Sequence, residues 1–244
     1  MRTLKLTLEY DGTRYAGWQR QLGAPTIQAA LERAVAAVTG EAPRVIGAGR
    51  TDAGVHALGQ VAAVRTGSRI PVDRWPAALN AHLPDDIVVL AAEDAPESFH
   101  PRYDARSRTY RYVVLNRPLP SALLRHHSYH VPRPLDVTRM AQAFALLRGR
   151  HEFDAYRAVG SSPRTTWCTV LHTYVREDRG MVIFTIEADR FLRHMVRIMV
   201  GTLLRVGSGA LPPDAVARLL EAKDNQPTGP TVPARGLFLV RVAY

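Results

Sequence analysis

The sequence is poor in cysteine, in lysine and in long hydrophobic runs. Cys168 is the single cysteine among 244 residues, which excludes an intrachain disulfide and a cysteine-rich zinc site. The longest apolar helical stretch is flanked by Arg197 and Arg205, and it is too short to span a bilayer. The start of the chain lacks the charged segment and apolar run of a secretory leader. We therefore expect a soluble, reduced, cytoplasmic protein.

Acidic residues are scarce in the second half of the chain. The formal net charge is +10, from 32 basic and 22 acidic residues. Residues 1–103 contain 11 of each sign, so residues 104–244 carry the whole excess, 21 basic against 11 acidic. A localised basic excess is typical of a protein that binds a polyanion such as nucleic acid. A solvated basic face remains an alternative, and the preference for arginine over lysine also fits genomic bias or thermal adaptation.

Several common cofactor and catalytic signatures are absent. The GAG triplet at residues 47–49 lacks the third glycine and the following helix of a dinucleotide-binding loop. No phosphate-binding GxxxxGK[ST] loop occurs, and the GSG triplet at residues 207–209 is not a nucleophile elbow. The sequence therefore gives no signal for a nucleotide cofactor or a serine nucleophile.

Two groups of metal-ligand residue types are weak signals. His126, His127 and His130 have no carboxylate or cysteine beside them, so phosphate contact or solvation explains them better than a metal. Cys168 and His172 lie four residues apart on a predicted strand, which places them on one face, and without a third partner they indicate packing. Neither group therefore indicates a metal site.

Hydrophobic periodicity predicts an α/β (α+β) fold in which one element order occurs twice. The first β-α-β-β-α-β set has strands at residues 3–10, 44–48, 60–66 and 87–92, and helices at 27–38 and 73–83. The second has strands at 108–116, 166–176, 181–187 and 237–242, helices at 136–147 and 191–206, and an extra helix at 213–222. This order predicts two ferredoxin-like (RRM-like) halves that form one extended, mainly antiparallel sheet flanked by helices.

The polar segment 93–107 carries two prolines and is the candidate boundary between the halves. We expect an N-terminal half at residues 1–103 and a basic C-terminal half at residues 104–244. Residues 118–134 are irregular and rich in arginine and histidine, which predicts an exposed basic loop.

The segment GAGRTDAGVHA at residues 47–57 is the strongest chemical signal. Glycines and small residues allow positive φ and a close approach of a ligand. Asp52 stands in the middle, two residues after Arg50. A carboxylate can act as a nucleophile at a sugar carbon or as a general base, and a neighbouring cation keeps it ionised. A tight connection in which Asp52 merely caps a turn fits the residues equally well.

This segment resembles the catalytic signature of the tRNA pseudouridine synthase A family. Further blocks with the family's order extend the resemblance over almost the whole chain: YDGT (10–13), GWQ (17–19), FHPR (99–102), SRTYRY (107–112), FLRHMVR (191–197), GTL (201–203) and RGL (235–237). One block alone is moderately specific, whereas five or more in the right order are a strong signal.

The resemblance implies isomerisation of uridine to pseudouridine at positions 38, 39 and 40 in the tRNA anticodon arm. It implies Asp52 as the nucleophile and Arg197 as the cation that pairs with it. Tyr110 is expected to stack on the flipped uracil and to assist proton removal from C5, Leu237 to line the base pocket, and Arg50 to hold the RNA open. No metal, ATP or organic cofactor is implied, and the family works as a homodimer with one tRNA contacting both subunits.

Two positions depart from the family pattern, Arg190 before the 191–197 block and Glu152, where aspartate is more usual. A rival reading is a non-catalytic RNA-binding protein, with two RRM-like halves acting as a clamp or chaperone. The charge and Tyr110 fit this rival too, but it does not require a carboxylate such as Asp52 in an anion-binding cleft.

Overall fold

The computed structural model describes residues 1–158, 160–161, 163–221 and 229–244. Within these residues, ten strands pair in a mostly antiparallel sheet that is flanked by five α-helices. The predicted α/β fold class is therefore confirmed. In the described part of the chain, no helix is long and apolar enough to cross a membrane.

Contacts divide the chain into two compact units. The first comprises Met1–Arg106 together with Phe238–Tyr244, and the second comprises Ser107–Leu237. The contact division thus places the end of the last strand with the N-terminal residues. The domain assignment made from the sequence, 1–103 and 104–244, stays a prediction.

The first unit contains most of the elements that frame the aspartate loop. They are β1 (Arg2–Tyr10), α1 (Ile27–Thr39), β2 (Val45–Gly47), β3 (His56–Thr66), α2 (Trp75–Asn80), β4 (Ile87–Ala95) and β10 (Leu237–Ala243), which belongs to this unit from Phe238 onward. β1 lies between β4 and β3 with antiparallel pairing to both, and β2 pairs with β3. The terminal strand β10 runs parallel to β3, with Phe238 opposite His56. These pairings fix both ends of the connection between β2 and β3.

Local sequence explains the first strand and helix. Leu4, Leu6 and Leu8 alternate with polar residues along β1 and are fully buried on one face, as period-two patterning requires. The Thr26 side chain accepts a hydrogen bond from the Ala29 amide and caps α1. Gly40 ends the helix with φ 71°, a left-handed conformation that glycine adopts without steric cost.

The second unit is built on an antiparallel hairpin. Its elements are β5 (Ser107–Leu115), β6 (Tyr129–His130), α3 (Val137–Ala145), β7 (Gly149–Glu152), β8 (Trp167–Asp178), β9 (Met181–Ala188), α4 (Met195–Gly207) and α5 (Ala215–Glu221). β9 pairs with both β5 and β8, and β7 pairs with β8. The short β6 runs parallel to the end of β5. One face of the hairpin carries the buried core against the helices.

Three predicted helices differ from those observed. The helix expected at 191–206 begins only at Met195, because His194 has φ 61° and cannot continue a right-handed helix. The helix expected at 73–83 is a 3₁₀ turn followed by the short α2. The extra helix expected at 213–222 spans Ala215–Glu221, and residue 222 lies outside the described residues. The strands β6 and β7 were not predicted, because each is too short for a periodic pattern.

The prediction that Cys168 and His172 share a face of β8 is wrong. Cys168 is buried whereas His172 is exposed. The register of β8 against β9 shifts between Val170 and His172, and the extra residue of a bulge reverses the alternation of faces. Burial raises the pKa of the Cys168 thiol to about 12. Cys168 is therefore a core residue.

Candidate active site

Asp52 lies on the irregular connection between β2 and β3 of the first unit. The Val55 amide donates to the Asp52 carbonyl, 3.1 Å away, and forms a tight turn. Gly54 supports this turn with φ 76°, which glycine adopts without steric cost. Asp52 is partly exposed and Arg50 is exposed. The loop thus holds a carboxylate where solvent and a ligand can reach it.

A buried polar network lies beneath the loop. The Tyr10 hydroxyl is 2.8 Å from Oγ1 of Thr51, the residue immediately before Asp52. Gln60 Nε2 donates to the Gly49 carbonyl at 2.9 Å and contacts the Tyr10 hydroxyl at 3.4 Å. Tyr10 and Gln60 are almost completely buried, and burial raises the pKa of Tyr10 to about 12. Buried hydrogen bonds fix the loop strongly, because breaking one leaves a polar group without a partner and out of reach of water.

The segment around residues 12–18 clamps the same loop from its other side. The Trp18 amide donates to the Thr51 carbonyl at 3.0 Å, and the Gly54 amide donates to the Tyr15 carbonyl at 3.3 Å. Gly17 has φ 99°, and a Cβ there would lie 2.6 Å from the Thr51 oxygen. The close approach therefore requires glycine at this position. This contact brings the GWQ block together with the aspartate segment, which lies more than 30 residues further along the chain.

His56 closes the loop at the start of β3. It is 1% exposed, and its ring stacks on Phe238 of β10 with 4.7 Å between centroids. His56 Nδ1 accepts a hydrogen bond from the Gly12 amide at 3.1 Å and lies 3.1 Å from a carboxylate oxygen of Asp11. Sequence reasoning quoted this histidine within its motif but gave it no role. The structure identifies it as a residue that positions the loop.

Tyr110 lies on β5 of the second unit. Its ring meets Phe191 edge to face, with centroids 5.0 Å apart, which is a favourable aromatic geometry. Tyr110 is half-buried, whereas its neighbour on the same face, Tyr112, is fully buried. Phe191 was quoted only as part of a motif, and its separation of 81 residues from Tyr110 hid their contact from sequence analysis.

Arg197 lies in the first turn of α4 and is tied to the segment before β10. Its Nε donates to the Val232 carbonyl at 2.8 Å. The helix approaches this segment very closely, since a Cβ on Gly201 would overlap the Pro230 carbonyl. This hydrogen bond orients the guanidinium, which carries five N–H donors.

Leu237 is 6% exposed at the beginning of β10. The turn before it is held by Tyr112, whose hydroxyl donates to the Pro233 carbonyl at 2.7 Å. A Cβ on Gly236 would lie 2.8 Å from the Tyr112 ring and from the Val113 carbonyl, so this turn requires glycine. Burial raises the pKa of Tyr112, although the charge of Arg197 acts in the opposite direction.

The five sequence-predicted site residues fall into two sets. Asp52 and Arg50 lie on one loop of the first unit, and Tyr110, Arg197 and Leu237 lie in the second unit. Hydrogen bonds fix the loop that carries Asp52, ring packing orients Tyr110, and a hydrogen bond orients Arg197. The approach of Asp52 to Tyr110 and Arg197 stays a prediction.

The two departures from the family pattern make surface contacts. Arg190 lies 3.8 Å from the Asp189 carboxylate, and both side chains are substantially exposed. Glu152 accepts a hydrogen bond from the Thr166 hydroxyl at 2.7 Å, at the edge strand β7. Neither contact involves a predicted site residue.

The mostly antiparallel ten-stranded sheet flanked by helices, within the described residues, is consistent with the pseudouridine synthase fold. The family model for tRNA pseudouridine synthase matches residues 7–104 and 143–244, and the chain belongs to this family. Three similar proteins carry the name tRNA pseudouridine synthase A. They come from Acetivibrio thermocellus (47% identical over 244 residues), Moorella thermoacetica (47% over 246) and a Thermoanaerobacter species (44% over 244), and each match covers both chains completely.

Proposed function

We propose that this protein isomerises uridine to pseudouridine at positions 38, 39 and 40 in the anticodon arm of tRNA. The observation that carries the proposal is the position of Asp52 on a loop fixed by Tyr10, Gln60 and the segment 12–18. Full-length similarity to proteins named tRNA pseudouridine synthase A supports the same reaction.

The proposed reaction needs no net addition or removal of atoms from the base and sugar. The Asp52 carboxylate acts as the nucleophile, and the C1′–N1 glycosidic bond breaks. The uracil then rotates and rejoins the ribose through C5, and the bond that Asp52 formed to the nucleotide breaks, which restores the free carboxylate. The proton on C5 is lost and N1 gains one, which leaves an isomer of the starting nucleotide. The isomerisation consumes no oxidant, reductant or group donor, and we propose that no cofactor takes part.

Tyr110 and Leu237 are proposed to hold the flipped base. Removing a base from a stem costs a few kcal/mol, and stacking on an aromatic ring returns about 1–3 kcal/mol. The half-buried Tyr110 ring, fixed edge to face by Phe191, is pre-oriented for such a stack. The Tyr110 hydroxyl is also proposed to assist removal of the C5 proton, and the apolar Leu237 lines the pocket.

Two arginines complete the proposed site. We assign Arg197 as the cation that pairs with Asp52 and orients it, and its Val232 contact supports a fixed orientation of the guanidinium. Arg50, exposed on the aspartate loop, is proposed to keep the RNA open after the base has left the stack. Arginine suits both roles because its charge persists at neutral pH.

The protein is also proposed to act in the cytoplasm, and as a homodimer with one tRNA contacting both subunits. Sedimentation of the free protein and of its tRNA complex tests the assembly. A particle of 54 kDa, twice the 27.0 kDa chain mass, is expected without tRNA. A 27 kDa particle under both conditions contradicts the shared-substrate arrangement.

Release of tritium from tRNA labelled at C5 of uridine tests the reaction, with no metal or nucleotide added. The wild type is expected to release tritium, and Asp52→Asn is expected to fold and bind tRNA without releasing it. Asp73→Asn is a matched control, because Asp73 is an exposed surface residue, and it should retain activity.

Binding without any tritium release by the wild type contradicts the proposal. That result favours the non-catalytic RNA clamp. At present the clamp is not favoured, since similar proteins over the full length carry the name of a synthase.

A further inference from the structure

A solvent-open cavity of about 410 Å³ lies in the second unit, apart from the residues assigned to chemistry. Six of its lining residues are polar: Ser121, Arg125, His126, Ser128, His130 and Arg235. Four of the eight lining residues are arginine or histidine, and none is acidic. A concave surface with this composition favours an anionic ligand.

The walls of this cavity are fixed by hydrogen bonds. Arg235 Nε donates to the Ser128 carbonyl at 3.2 Å. Ser128 is itself 3% exposed, and its hydroxyl donates to the Leu124 carbonyl at 2.9 Å. Arg125 donates to the Ala122 carbonyl within the same loop. These contacts restrict the side chains of two lining arginines, which lowers the entropy cost of binding a ligand there.

The opposite wall is tied to the sheet. His130 lies in β6, opposite Leu115 at the end of β5, and its Nε2 contacts the Arg117 carbonyl at 2.8 Å. The Ser121 hydroxyl accepts from the Leu124 amide at 3.2 Å. The segment predicted as an exposed basic loop is therefore anchored on both sides of the cavity.

Arg235 links this cavity to the proposed base pocket. It stands two residues before Leu237, in the turn that Tyr112 and Gly236 hold rigidly. A ligand on Arg235 therefore lies close to the residue assigned to the flipped base. The cavity has no Tyr, Phe or Trp in its lining, so it offers no ring of the kind on which single-stranded bases usually stack.

We propose that this cavity binds a phosphodiester group of the tRNA backbone near the flipped nucleotide, an inference that rests on the proposed function. Arg125 and Arg235 donate to the phosphate oxygens, for which the guanidinium fork has matching geometry. The two serines and two histidines supply further polar contacts. The cavity fixes the register of the RNA, since phosphate contacts position the nucleic acid without reading its sequence.

Salt-dependent tRNA binding tests this assignment. Binding weakens as salt rises, so the slope of log K against log salt is negative. For each phosphate that the protein no longer neutralises, this slope should become shallower by roughly 0.7–0.9. We expect Arg125→Gln and Arg235→Gln each to make the slope shallower by about this amount and to weaken binding roughly three- to tenfold at low salt. Each substitution should raise KM for tRNA more than it changes kcat.

Arg139→Gln is the matched control. Arg139 is an exposed arginine on α3 of the same unit and does not line the cavity, so the substitution removes the same charge. Ethylation of tRNA phosphates should reveal a position whose interference with binding disappears in Arg125→Gln and persists in Arg139→Gln. Equal slopes for all three variants, or interference that is identical in all three, overturn the inference.

Inorganic phosphate distinguishes a small-anion site from an RNA site. If phosphate alone stabilises the wild type but not Arg125→Gln against heat, and tRNA binding is the same in both, the ligand is a free anion and the proposal is wrong. The experiments also test the isomerase activity and the phosphate site independently of each other. A cavity-dependent salt slope without tritium release contradicts only the isomerase. Tritium release with unaltered slopes contradicts only the phosphate site.

Discussion

The Tyr10 hydroxyl lies 2.8 Å from Thr51 Oγ1, so a core residue of β1 holds the residue next to the proposed nucleophile. This hydrogen bond joins positions 41 residues apart in the sequence and is buried. Because Gln60 shares the same hydroxyl, one phenol organises both the loop and the strand that follows it. Substitution and titration of this phenol should therefore affect both stability and activity.

Removal of the Tyr10 hydroxyl should loosen the aspartate loop. Tyr10→Phe leaves two buried polar partners with fewer hydrogen bonds, and we expect the free energy of unfolding to fall by about 1–3 kcal/mol. We also expect kcat to fall more than KM rises. Urea denaturation and tritium release measure these effects. Tyr174→Phe, at a side chain that is 61% exposed, should change both quantities little, and equal effects at the two positions contradict this role for Tyr10.

Alkaline pH should destabilise the fold. Burial raises the pKa of Tyr10 from 10.0 to about 12 and that of Cys168 from 9.0 to about 12. Since the folded state holds both protons more tightly than the unfolded state, this stabilisation is complete below pH 9 and is lost progressively between pH 9 and 12. Melting temperatures measured from pH 8 to 11 should decline. Tyr10→Phe and Cys168→Ala should each flatten the decline, and an unchanged slope in both contradicts the prediction.

Gly17 should tolerate no side chain. Gly17→Ala adds both a strained positive φ and a Cβ at 2.6 Å from the Thr51 carbonyl, so we expect a loss of about 2 kcal/mol or more in stability, together with lower activity. Gly23→Ala is the control, because Gly23 has a similarly positive φ of 73° and nothing within 4 Å of the added atom. It should cost only about 1–2 kcal/mol and spare activity. Thermal unfolding and tritium release compare the two variants. Equal losses of stability and activity would contradict a requirement for the close approach of Gly17 to the Thr51 carbonyl.

Substitution can separate the role of the Tyr110 ring from that of its hydroxyl. Tyr110→Phe keeps the ring and should preserve tRNA affinity while it slows tritium release. Tyr110→Ala removes the stacking surface as well and should weaken binding by about 1–3 kcal/mol. Filter binding and single-turnover tritium release distinguish the variants. Unaltered tRNA affinity in Tyr110→Ala argues against base stacking at this residue.

The sequence was sufficient to predict the elements that carry their own signals. The capping threonine and the terminal glycine of α1 mark its ends, and alternating leucines mark β1. Helix α4 was placed correctly except at its start, where His194 takes a backbone conformation that no periodic pattern encodes. The bulge in β8 was also hidden, because it depends on register against β9 and reverses the face of His172.

For the candidate site, sequence reasoning found the motifs but not their support. Asp52 stands in a segment whose composition suggests chemistry, whereas Tyr110 was found through the family resemblance. Their supporting contacts join residues far apart in the chain, such as Gln60 with Tyr10 and Tyr110 with Phe191. These contacts follow from strand pairing, and neither spacing nor composition reports them.

The parallel pairing of β10 with β3 has a consequence for how the protein is made. The ring of His56, which closes the aspartate loop, stacks on Phe238, which lies 182 residues further along the chain. The N-terminal residues emerge from the ribosome long before β10 is synthesised. The loop therefore receives this support only after synthesis has passed residue 238. A nascent or prematurely terminated chain without residues 238–244 cannot assemble the finished loop, so a stalled ribosome presents no fully formed loop to RNA.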